Sequence, residues 1–139
     1  MPRERSIGAV IFRREEHPIY LLLHYKSGHW DFVKGNIEKG EREKETVVRE
    51  TKEEAGIEDL VFLEGFRDKI SYFYRRGNST VYKEVVFFLA ETKTEEVELS
   101  YEHIGYQWLR YEEAYEKTTY KNSKKVIQKA HQFLTDRQK

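Results

Sequence analysis

"GNIEKGEREKETVVRETKEEAGI", residues 35–57, carries seven glutamates in twenty-three positions of a chain whose 25 basic and 25 acidic residues cancel. From Glu43 to Ala55 the apolar spacing is that of a helix: at about 100° per residue, Val47, Val48, Thr51 and Ala55 fall within an arc of roughly 100° and form the expected inward stripe. Gly56 is the expected stop, because helices commonly end in a left-handed residue that glycine adopts without steric cost. Beside that stripe Glu50, Glu53 and Glu54 project within about 100° of one another. Like charges so placed repel by roughly a few tenths of a kcal/mol per pair, a conflict that an entering divalent cation resolves. Mg²⁺ suits such a patch, since it takes carboxylate oxygens and leaves positions open for water and phosphate. Taken alone, the helix also reads as a solvated face neutralised by Lys44, Lys52, Arg42 and Arg49.

Outward from this segment the chain alternates strand and helix signals. "SIGAVIFRR" (6–14) and "IYLLLHY" (19–25) are β-branched and apolar, separated by a turn at Pro18. "SGHWDFVKGNIEKGE" (27–41) reads as loop with a short strand near 30–33. "LVFLEGF" (60–66), "KISYFYRR" (69–76) and "VYKEVVFFLAET" (81–92) read as antiparallel strands, with Gly77 and Asn78 turning the last hairpin. "IGYQWL" (104–109) is a further strand. "RYEEAYEK" (110–117) and "NSKKVIQKAHQFLTD" (122–136) are helices, the second with Val126, Ile127, Ala130, Phe133 and Leu134 on one face behind an Asn122 or Ser123 cap. This order suits a mixed sheet packed between helices.

Composition narrows the function classes. The 139 residues, 38% hydrophobic and 14% aromatic, fit one domain spanning 1–139. Zero net charge gives no bulk attraction to DNA or an anionic membrane. No apolar run approaches the roughly 20 residues of a membrane span, and the first six residues lack the apolar core of a signal peptide, so a cytoplasmic location is expected. The absence of cysteine removes disulfides, thiolate nucleophiles and Cys-based zinc sites, leaving oxygen and imidazole as metal donors.

The spacing in the opening segment is Gly35, five residues, Glu41, seven residues, Arg49-Glu50, then Glu53-Glu54, Ala55, Gly56 and Ile57. It resembles the Nudix box at every fixed position, with Thr51 in place of the first aliphatic residue. The resemblance implies an α+β chain with an α/β/α sandwich, a mixed β-sheet and a loop–helix–loop catalytic motif. It also implies hydrolysis of a nucleoside diphosphate linked to another moiety, with Mg²⁺ or Mn²⁺ as cofactor. By the same resemblance Glu53 and Glu54 are the main metal ligands, joined by Glu50 and the backbone carbonyl of Lys34. Arg49 would orient Glu50, and Glu41 would be an auxiliary ligand or an anchor. Either Glu50 or the later-loop residue Glu102 would act as base.

Beyond the box the chain resembles the asymmetrical diadenosine tetraphosphate hydrolases of animal and archaeal type. "GAVIFRR", "HW", "KG", "EEAGIE", "EGF", "FLAE", then "EH", "Y" and "WL" around 102 to 109, "EEA" and "HQFL" recur in order from about residue 8 to 134. The resemblance implies that Tyr72, or Tyr74 on the same strand face, and Tyr120 flank an adenine, with stacking of roughly 1–3 kcal/mol per base. It further implies that His29, Lys34 and Lys83 meet phosphates. "FVKGN" and a longer hairpin at "YRRGNST" depart from that subfamily beside the expected substrate site. The expectation is a monomeric enzyme that cleaves the polyphosphate bridge of diadenosine tetraphosphate to ATP and AMP. RNA 5′-pyrophosphohydrolysis, hydrolysis of ADP-ribose or another nucleoside diphosphate derivative, and non-catalytic nucleotide sensing are the alternatives.

Overall fold

Twelve residues, Arg3–Arg14, form strand β1, and from Ser6 to Phe12 both of its faces are buried. A strand covered on two sides needs a continuous apolar run rather than an alternating one, which is what "IGAVIF" supplies. The structure is a computed structural model, and residues 1–137 are described; residues 138 and 139 of the expected domain lie outside the described residues. After β1 come β2 (Pro18–Tyr25), β3 (Trp30–Asp31), β4 (Val33–Asn36), α1 (Glu43–Ala55), β5 (Val61–Phe62), β6 (Asp68–Arg76), β7 (Ser79–Glu91), β8 (His103–Arg110), α2 (Tyr111–Lys117) and α3 (Lys121–Arg137).

β1 and β7 run parallel through the centre, and every other pairing is antiparallel. β1 changes partner along its length: Ser6 to Ala9 pair with β4, whereas Phe12 to Arg14 pair with β2. β7 does the same, meeting β6 along its first half and β5 at its end. Consequently β4, β6 and the first halves of β1 and β7 gather at one end of the sheet.

The two faces carry separate cores. Val10, Phe12, Tyr20, Leu22, Val85, Phe87 and Leu89 pack against Ala114 of α2 and Val126, Ile127, Ala130 and Leu134 of α3. Ile7, Ala9, Ile11, Leu21, Leu23, Val86 and Phe88 pack against Val47 and Ala55 of α1 and the following Ile57. This is an α/β/α sandwich, each fully buried Val, Leu, Ile or Phe contributing roughly 1.5–3 kcal/mol.

Two details of the helices differ from the sequence reading. Val48 is 48% exposed, and Thr46 takes the inward place beside Val47. One step of 100° turns Val48 off the buried face, and Thr46 is accepted there because its hydroxyl donates to Glu41 Oε1 at 2.8 Å. In α3 the helix begins at Lys121, so Asn122 and Ser123 lie in its first turn rather than capping it. The strand expected over 60–66 contracts to Val61–Phe62, since Gly65 takes a φ of 97° and breaks the extended run. The loop between β2 and α1 holds two short strands instead of one.

α1 ends as expected, at Gly56 with φ 69° and its N–H donating to the Lys52 carbonyl at 3.0 Å. A Cβ at Gly56 would also stand 2.9 Å from the Glu98 Cβ. Gly56→Ala is therefore expected to lower the unfolding free energy by about 1–2 kcal/mol from the left-handed backbone alone, with crowding adding to it. Urea denaturation of the two proteins checks this.

Candidate active site

The end of the sheet where β4, β6 and the first halves of β1 and β7 meet holds two cavities that share Lys34. The first, of about 340 Å³, is an acidic cleft lined by Glu50, Glu54, Glu102 and Glu38, with Lys34, Lys83 and Gly35 along its walls. The second, of about 520 Å³, is largely aromatic, with Tyr25, His29, Tyr72, Tyr74 and Tyr120 around Asp31 and Lys34.

In the acidic cleft the placement of Glu50 and Glu54 begins with backbone. Gly35 on β4 lies so close to α1 that a Cβ there would overlap the Glu50 carboxyl group. Gly8 on β1 is equally constrained, since a Cβ there would strike the Val33 carbonyl and push β4 away from β1. Arg49 fixes the other side of Glu50, with Nη1 donating to Glu50 Oε1 at 2.8 Å. The same guanidinium reaches Glu41 Oε2 at 2.7 Å, the Asn36 carbonyl at 3.0 Å and Glu53 Oε2 at 3.3 Å. Charge-assisted, multidentate bonds of this kind fix orientation as well as charge.

Glu41 accepts from Arg49, the Thr46 hydroxyl and the Glu38 N–H, so its geometry is that of an anchor for Arg49. The Arg49 bond above all holds its carboxyl down at about 2. Glu53 is drawn out to Arg49 and is 57% exposed along its side chain. Among the described residues no three acidic or imidazole groups already converge as a ligand set.

Glu54 is the anomaly of the cleft. It is 5% exposed, and burial, then the neighbouring Glu50 and Glu102 carboxylates, push its carboxyl far above the usual range. Its Oε1 is buried without a hydrogen-bond partner. Oxygen donors held together against their own repulsion, in a cleft with an unpaired carboxylate oxygen, fit a hard divalent cation. Glu50 and Glu54 are the residues placed to hold it. Glu53 would join them by leaving Arg49.

The aromatic cavity is built on the end of β2, on β3, β4 and β6, and on the start of α3. Tyr72 and Tyr74 share a face of β6, with ring centroids 6.4 Å apart. The Tyr74 phenol is tied to Glu4, which also receives Arg76 Nη1 at 2.9 Å. Tyr72 has no such tether and is half-buried, and Tyr120 on the opposite lip is 49% exposed. His29 stands 5.3 Å from Tyr120 between ring centroids. Burial pulls the His29 imidazole below its ordinary pKa, with Asp31 working against it.

Lys34 Nζ meets Asp31 Oδ2 at 3.2 Å. Burial opposes its charge, but the charge and hydrogen bond of Asp31, with Tyr72 and Tyr120 beside it, together raise its pKa. Lys83 faces Tyr72 across the β6–β7 pair and lies 3.8 Å from Glu4. Burial lowers its pKa, partly offset by Glu4. Every side chain anticipated from the sequence for phosphate or base thus lines one of the two cavities. Three participants were not anticipated: Asp31, 1% exposed and holding Lys34; Tyr25, stacked on His29 at 4.4 Å; and His103, 3.2 Å from Glu54. An acid next to "HW" is the one signal for Asp31 and the shared "EH" the one for His103, while Tyr25 carries none because strand pairing brings it in.

Residues 2–130 match the family model described as the NUDIX domain. The chain is 41% identical to the asymmetrical bis(5′-nucleosyl)-tetraphosphatase of Mus musculus, over 94% of this chain and 95% of that protein. It is 32% identical to the protein of the same name from Caenorhabditis elegans, over 94% of this chain and 96% of that protein. Among solved structures it is similar to a C. elegans Ap4A hydrolase binary complex, with a TM-score of 0.84 and 31% identity over 96% of this chain and 98% of that one.

Two outcomes follow from the packing around Arg49 and Gly35. Gly35→Ala displaces the Glu50 carboxyl and is expected to weaken divalent-cation binding about tenfold or more, as read by calorimetric titration, with circular dichroism unchanged. Glu41 has a folded pKa of about 2 against an ordinary 4.5, so its stabilising contribution is complete above pH 4.5 and is lost as pH falls towards 2. Melting temperatures of Glu41→Gln measured across that window should fall less steeply with acid than those of the unaltered protein.

Proposed function

The chain belongs to the NUDIX domain family, and on that premise we propose that it hydrolyses the polyphosphate bridge of diadenosine tetraphosphate to ATP and AMP as a single domain. The observation that carries this reading is the junction of the two cavities at Lys34. A base held in the aromatic cavity sends its phosphates past Lys34 and Lys83 into the acidic cleft. Mg²⁺ or Mn²⁺ is the proposed cation, supplying charge neutralisation on phosphate oxygens and a lowered pKa for water.

The residues divide the work by their surroundings. Tyr72 is the proposed base-stacking ring from β6, since the Tyr74 phenol is tied to Glu4, and Tyr120 closes from the α3 side. Lys34, held by Asp31 with its charge favoured, binds the phosphate at the junction. His29 in its neutral form donates a hydrogen bond without adding charge. Glu50, pinned through Oε1 by Arg49, and Glu54 hold the cation.

Glu102 lines the same cleft, and its carboxylate has no ion-pair partner among the described residues. It is the proposed base: it takes the proton of the attacking water as the new oxygen–phosphorus bond forms and the bridging oxygen leaves on the other nucleotide. The structure also bears on the RNA alternative. The base cavity is walled by Ile70, Tyr72 and Tyr120, and Glu4 interrupts the positive surface between Lys83 and Arg76, so a continuous cationic groove for a long strand is lacking there.

Incubation with ¹⁸O-labelled water, Mg²⁺ and a panel of dinucleoside polyphosphates, ADP-ribose and 5′-triphosphorylated RNA tests the proposal. ATP and AMP from diadenosine tetraphosphate, one of them labelled, are expected; efficient trimming of RNA with no dinucleotide cleavage would sink it. Glu54→Gln should abolish turnover, and Glu102→Gln should lower kcat by about 10²–10⁴ with KM little changed.

A further inference from the structure

β8 carries a bulge whose purpose is visible at its first residue. His24 pairs with Gly105, yet Tyr25 pairs with His103, so Ile104 is an extra residue on β8. Such an insertion re-aims the side chains beyond it. Ile104 is left 58% exposed, and His103 takes the place opposite Tyr25, its ring fully enclosed at 0% side-chain exposure.

The enclosed ring is held on three sides. Its Nδ1 lies 3.1 Å from the Ser100 hydroxyl. Tyr25 packs edge-on at 4.4 Å between centroids, itself fixed by donating to the Phe32 carbonyl at 2.6 Å and by stacking on His29. The remaining nitrogen, Nε2, faces Glu54 Oε1 at 3.2 Å. That approach lacks the alignment of a hydrogen bond, and both atoms are buried without a partner. Buried polar atoms are nearly always paired, so two orphans facing each other mark an interaction that a small rotation of the Glu54 carboxylate would complete.

We propose that His103 is a positioning residue for Glu54. When Nδ1 accepts the Ser100 hydroxyl hydrogen, the ring hydrogen sits on Nε2 and is donated to Glu54 Oε1, which turns Oε2 towards the cation. A neutral donor suits this place, because it orients the carboxylate without competing with the cation for its charge. The inference rests on the reading of the acidic cleft as a divalent-cation site, and it adds to that reading a residue that touches neither cation nor nucleotide.

The test is the Mn²⁺ affinity of the full, nucleotide-free chain, read from the electron paramagnetic resonance of unbound Mn²⁺. His103→Asn puts an amide where Nδ1 lies and stops short of Glu54, whereas His103→Gln extends a donor to the Nε2 position. Glu54→Gln should lose binding, His103→Asn should weaken it about tenfold or more, and His103→Gln should stay within a few-fold of the unaltered protein. Ser100→Ala frees the ring hydrogen to occupy either nitrogen, should weaken binding in the same direction, and decides the matter if His103→Asn does not fold. Equal weakening by Asn and Gln would assign His103 to packing and overturn the proposal. Unchanged affinity in His103→Asn, or in Ser100→Ala where it stands in, while Glu54→Gln loses binding, overturns it and leaves the cation site standing. Absence of Mn²⁺ binding by the unaltered protein overturns both.

Discussion

Two carboxylates forced together in a poorly hydrated cleft are the constraint around which this molecule is arranged. Glu50 and Glu54 lie one helical turn apart on α1, and in water their repulsion would be small. Here Glu54 is 5% exposed, so solvent does little to screen it and the cost of its charge rises. The fold holds the pair in place with rigid elements: Gly35 admits the Glu50 carboxyl against β4, Arg49 clamps it at 2.8 Å, and Gly56 ends α1 immediately beyond Glu54 and Ala55. Stability is given up in the cleft, and the two sheet cores, each closed by helices, offset it.

The cations around the two cavities differ in what holds them. Arg49 belongs to the scaffold, since Glu41, Glu50 and Glu53 all engage it. Lys34 is shared between the acidic and aromatic cavities and is held by the buried Asp31. Lys83 is partly engaged by Glu4, the same residue that tethers Tyr74 and Arg76. A polyphosphate spanning from ring to carboxylate would thus meet one lysine held by Asp31 and a second beside Glu4. The tether at Glu4 also distinguishes the two tyrosines that sequence periodicity alone leaves equivalent.

Much of this was legible because it is local. The span of α1, its left-handed stop and the angular grouping of its acids depend on 3.6-residue geometry and on glycine's freedom, both written in consecutive residues. The β6–β7 hairpin was readable from Gly77 for the same reason. Val48 lies off the buried face because an arc of 100° does not say which edge faces the sheet, and Thr46 takes that place through a hydroxyl bond to Glu41 that helical spacing does not reveal. The strand expected at 60–66 contracts because Gly65 breaks the extended run, whatever the apolar content around it. The roles of Asp31, Tyr25 and His103 are not legible in the sequence for a different reason: each comes from a partner on another element.

By itself the sequence determined the chemistry-bearing set, since the spacing from Gly35 to Ile57 places those acids on one helix wherever that helix is put, and it determined the two-sided burial of β1 through an unbroken apolar run. Only the tertiary structure decided which acid is buried, which tyrosine is tethered and which histidine meets Glu54. Burial, hydrogen-bond partners and the shift of a carboxyl's pKa arise from groups brought together by strand register, and the one bulged residue at Ile104 is what sets His103 opposite Tyr25.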